Sequence, residues 1–85
     1  MKRIVNVKVT EYDIKNGVPA VPHGCPIAHA IRRAYPGHRI QVRDAGFYWD
    51  SNYLPLPMVA LDFITDFDRR LSVTPIEFEF EVDDA

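Results

Sequence analysis

From Ile76 to Val82 every second residue is apolar. Ile76, Phe78, Phe80 and Val82 are oily, and Glu77, Glu79 and Glu81 stand between them. An extended strand sends successive side chains to opposite faces, so this alternation predicts a half-buried strand over Val73–Val82. Whatever else the chain does, it must roof the apolar face of that strand.

A matching pattern opens the chain. Val5, Val7 and Val9 alternate with Ile4, Asn6 and Lys8, which predicts a strand over Arg3–Thr10. Ile40 and Val42 alternate with Arg39, Gln41 and Arg43, giving a second strand over Arg39–Asp44. Ala45-Gly46 turns the chain into a third strand, with Phe47 and Trp49 on one face and Tyr48 on the other. Asp50-Ser51-Asn52 makes another turn, and the chain returns through Tyr53-Leu54.

Two helical stripes supply the roof. Pro26 suits a first helical position, and Ile27, Ala30, Ile31, Ala34 and Tyr35 follow at helical spacing before Pro36-Gly37. A helix over Pro26–Tyr35 is expected. Leu56, Ala60, Phe63, Ile64, Phe67 and Leu71 predict a second helix from Pro55–Pro57 to about Arg69, with Asp66 and Arg70 spaced to pair. Thr10 and Asp13 have the spacing of a helix-starting pair, so Glu11–Lys15 is read as one helical turn ended by Asn16-Gly17. Residues 18–26, with Pro19, Pro22, Gly24 and Pro26, form an irregular connector. The resulting expectation is α+β: a four-stranded, mainly antiparallel sheet with two helices on one face, in β-α-β-β-α-β order. Its solvent face would show Lys2, Asn6, Lys8, Arg39, Gln41, Arg43, Tyr48 and the three glutamates.

Eighty-five residues suit a single domain spanning 1–85. Only the tail from Asp83 to Ala85 has the look of disorder. One cysteine, Cys25, cannot form an internal disulfide, and because Met1-Lys2-Arg3 leads straight into the alternating pattern, neither a leader nor a membrane segment is expected. A cytoplasmic protein is expected. The net charge of −2 hides a division: residues 1–43 hold eight Lys/Arg and two acidic residues, and the rest hold two Arg and ten acidic residues. Opposite charges meeting across one sheet would account for it.

The residues able to carry chemistry gather at one helix start. Cys25 stands at or beside the N-cap, and His29 and Arg33 follow at steps of four. A thiol there can have a lowered pKa, with His29 to take its proton. Against this, a lone cysteine is most often a small buried residue, and His29 and the arginines fit the solvated side of the helix. No acid is placed by sequence to orient His29. His23, Cys25 and His29 fall short of a familiar zinc set. No cofactor or metal is expected, and no enzymatic activity. Asp62, Asp66 and Asp68 read as ordinary helix surface. Arg32, Arg33, Arg39 and Arg43 with Tyr48 suggest nucleic acid, but the low pI and the glutamates on the same face weigh against it. The candidate binding residues are His23, Cys25, His29, Arg32, Arg33, Arg39, Arg43 and Tyr48. The expected partner is another protein, or a second copy meeting through an edge or through Tyr48 or Tyr53.

Along Cys25-Pro26-Ile27-Ala28-His29-Ala30-Ile31-Arg32-Arg33 the chain resembles small proteins of actinobacteria and their phages that share a Cys-Pro-Ile-Ala-x-Ala-Ile helix start. The plan is similar over most of the chain: a Val-rich first strand, a turn like Tyr12–Gly17, a helix ending like Phe63–Asp68, and a close like Val73–Phe80. Members often carry a further Cys a few residues before the Cys-Pro pair, where this chain has His23 or Gly24, which weakens a metal or redox reading. The resemblance implies a setting rather than an activity: accessory proteins acting on a host cell, sometimes by occluding a larger protein, in the host cytoplasm if phage-encoded.

Overall fold

A computed structural model describes residues 2–19, 21–43 and 45–83. Its elements run β1 (Lys2–Val9), α1 (Glu11–Asn16), α2 (Pro26–Ala34), β2 (Ile40–Arg43), β3 (Gly46–Trp49), β4 (Asn52–Pro55), α3 (Met58–Asp68) and β5 (Ile76–Asp83). The α+β class is as expected, but the single four-stranded sheet is not. The described strands number five and form two sheets, β1-β5 and β2-β3-β4, every pair antiparallel. The Tyr53-Leu54 return is a full strand. Two tight hairpins let β2, β3 and β4 pair with one another, which leaves the two long end strands to each other.

The end strands pair in the register their patterns require. Val5 faces Phe80, Val7 faces Phe78 and Val9 faces Ile76, so the apolar side of each strand is the same side of the sheet. Val5, Val7, Phe78, Phe80 and Val82 are all buried. On the wet side Lys8 lies opposite Glu77, with Nζ 3.9 Å from the carboxylate, the cross-strand pairing of opposite charges foreseen from sequence. Aromatic rings join the two sheets. Phe80 meets Phe47 edge-on at 4.8 Å and Trp49 at 5.8 Å, arrangements worth about 0.5–1.5 kcal/mol each beyond area burial.

The helices close the core much as the stripes require, with shifts at their ends. In α2, Ile27, Ala28, Ala30 and Ile31 are buried, whereas Ala34 is exposed and Tyr35 caps the helix, its N–H donating to Ile31 O. Helix α3 begins one residue after Pro57 and stops at Asp68. Leu56 is therefore buried ahead of the helix, and Leu71 is 52% exposed beyond it. Arg70 has φ of 63°, off the helix, so the Asp66–Arg70 spacing is not a helical one. Strand β5 starts at Ile76 rather than Val73 and includes Asp83. Asp44 and residues 84 and 85 lie outside the described residues. Among the described residues no helix is long and apolar enough to cross a membrane.

Candidate functional site

The first turn of α1 is set by Thr10 and Asp13. The Asp13 N–H donates to Thr10 Oγ1 (3.4 Å), while Asp13 Oδ2 accepts from the Thr10 N–H (2.8 Å) and hydroxyl (3.1 Å). This capping box satisfies helix-end donors that would otherwise be orphaned. It also turns the Asp13 carboxylate inward, where its residue is 0% exposed. There Oδ1 meets two side chains from α2: His29 Nδ1 at 2.8 Å, and the Arg33 guanidinium. Arg33 also donates to Lys8 O at 2.9 Å. One carboxylate thus ties the end of β1, α1 and α2 together. Burial by itself would raise the Asp13 pKa. The bonds from Arg33, the Thr10 N–H, His29 and the Thr10 hydroxyl outweigh burial and hold the carboxyl below its ordinary value.

Asp13 is the residue that sequence reasoning missed, and it corrects the reading of His29 and Arg33 as mere solvated helix surface. The Thr10-x-x-Asp13 spacing was legible. That the same carboxylate would reach across to α2 was not, because spacing within a turn says nothing of partners many residues away. Gly17 allows the approach of the two helices. A Cβ there would lie 2.6 Å from the ring of Pro26.

Cys25 is the N-cap of α2, its Sγ accepting from the Ala28 N–H at 3.4 Å. It is 3% exposed. Burial pushes its thiol pKa up, against the partial counteraction of the Ala28 and Ile27 N–H groups, the opposite direction from the lowering weighed from sequence. Cys25 lines a 320 Å³ cleft with Val42, Arg43, Ile64 and Asp68, while the His29 imidazole is held on Asp13. His23 is exposed and its carbonyl accepts from Arg32 Nη1 at 2.5 Å. Among the described residues, His23, Cys25 and His29 are not gathered into a metal-ligating group of three.

The remaining candidates lie on the three-stranded sheet or, for Arg39, just ahead of β2. Gln41, Tyr48 and Tyr53 are in register on its outer face, and the two tyrosine rings meet edge-on at 5.0 Å. Tyr53 lies over Gly46, where a Cβ would be 2.7 Å from its ring, and its hydroxyl donates to Arg43 O at 3.1 Å. Tyr53 was foreseen as an exposed aromatic but not as a partner of Tyr48. Arg39 is exposed. Its N–H donates to Asp50 Oδ1 (2.8 Å), and Asp50 Oδ2 is 2.9 Å from His38 Nδ1. The expectation that Tyr48, Arg39 and Arg43 share a face with Glu77, Glu79 and Glu81 fails, because Tyr48 and Arg43 belong to the other sheet and Arg39 precedes β2, outside both.

No protein-family model, curated protein or solved structure matches the chain.

Proposed function

We propose that this domain is a non-catalytic interaction module whose partner is another protein. The observation that carries the reading is the outward tyrosine pair, Tyr48 with Tyr53, beside Gln41 and the exposed Arg43. Tyrosine and arginine are the side chains that most often dominate protein interfaces, because they offer large rigid contact area with polar ends. The groups best suited to chemistry support it differently: Asp13, His29 and Arg33 hold one another, and Cys25 is buried as a helix cap. A cytoplasmic accessory protein that occludes a host or defence enzyme, phage-encoded as the resemblance implies, is the version we favour.

The test is capture from host lysate, read beside light scattering of the purified domain. A partner retained by the native protein and weakened about tenfold by Tyr48→Ala with Arg43→Glu supports the proposal. A strict monomer that retains nothing overturns it. A second reading, single-stranded nucleic acid stacked on the tyrosines, is favoured by the separation of that face from the glutamates. It requires a mobility shift at low salt, where such binding is strongest.

A further inference from the structure

The outer edges of β4 and β5 border one groove of 330 Å³. Leu54, Pro55, Leu56 and Pro57 form one wall, and Glu79, Phe80 and Glu81 form the other. Among the described residues neither edge carries a strand: β5 pairs with β1 alone and β4 with β3 alone. An unpaired edge is a template for another chain, since its backbone groups are presented in a row at strand spacing. The rim is acidic. Glu77 has Lys8 across the ladder, but Glu79 lies opposite Asn6 and Glu81 opposite Ile4, so neither faces a cation there. Below them Phe80 and Leu56 are buried and apolar.

The geometry points to this groove as the docking site for an extended segment of another protein, with basic and apolar residues in alternation, added as a strand on the free edge of β5. The inference rests on the interaction-module reading and names the partner's chemistry. The pattern follows from the period of two. Residues beside Glu79 and Glu81 on the wet face would be Lys or Arg, and those beside Phe78 and Phe80 would be apolar. Strand β1 shows what β5 accepts on its other side: Val5 and Val7 inside, Lys8 against Glu77 outside. An acidic strand would set like charges side by side, which destabilises a sheet.

Fluorescence anisotropy with a labelled, end-capped Lys-Val-Arg-Val-Lys-Val peptide tests the inference. The expected result is saturable binding that a Glu-Val-Glu-Val-Glu-Val peptide lacks. Binding should weaken about tenfold in the double variant Glu79→Lys with Glu81→Lys, and should vanish when the backbone nitrogens of the peptide are methylated. Both glutamates are exposed, and far-UV circular dichroism verifies that the variant is folded. Equal binding of the basic and acidic peptides, or undiminished binding of the methylated one, overturns the inference. So does a concentration-dependent dimer abolished by the same two substitutions, which would assign the edge to a second copy. Failure here with a lysate partner still captured through Tyr48 and Arg43 leaves the interaction module standing, whereas failure of both removes it.

Discussion

Asp13 is withdrawn from water and still ionised, because donors from Thr10 and from two side chains of α2 converge on its two oxygens. Removing one member of such a set leaves the others unpaired, which costs more than the set contributes to stability. Asp13→Ala should lower stability by about 2–3 kcal/mol, read from the urea midpoint, since it deletes both the cap and the cross-helix bonds. Acidity tests the same carboxylate with a definite sign. Its folded pKa lies below the ordinary value, so its contribution is complete above about pH 4 and is lost as pH falls through the folded pKa. Asp13→Asn should be less stable at neutral pH and should lack that part of the acid-induced decline. Cys25 provides a second check at this scale. Buried, with its pKa raised, it should react with a thiol reagent far more slowly in the native protein than after unfolding in urea.

Among the elements, β3 and β4 depend on a residue with no side chain. A Cβ on Gly46 would stand 2.4 Å from Leu54 O and 2.7 Å from the Tyr53 ring. Gly46→Ala should therefore cost about 1–3 kcal/mol and lift Tyr53 from its seat, seen as a changed near-ultraviolet tyrosine signal. Every strand and helix stripe read from sequence has its element, because period and caps are local properties: the β5 alternation, Pro26 at the helix start, Thr10 with Asp13. What local pattern does not hold is which edges pair. Nothing in Ile40–Trp49 says that β2 and β3 will take β4 as their third strand and leave β5 to β1. The same limit hid the Asp13–His29 bond and the partnership of Tyr48 with Tyr53. Each joins residues whose own neighbourhoods look complete.

At the scale of the molecule, the Cα radius of gyration is 11.8 Å, close to the about 12 Å that a compact chain of this length should have. The two sheets share one core through Phe47, Trp49 and Phe80. Unfolding followed by Trp49 fluorescence and by far-UV circular dichroism should give coincident curves. Separate transitions would show that the sheets melt independently. The basic first half and acidic second half meet only in part: Lys8 with Glu77 is a cross-strand pair, but Arg43 lies on the other sheet and Arg39 just ahead of it. The pairing of β1 with β5 also has a temporal side. A ribosome finishes β1 well before β5, so Val5, Val7 and Val9 wait without their partner for several seconds of synthesis. Lys2 and Asp83 are Cα partners, so a circular permutant spliced there and opened at the exposed Leu71-Ser72 would turn the slowest contact into a neighbouring hairpin. It should refold faster than the native order in stopped-flow, and yield more soluble protein when translated.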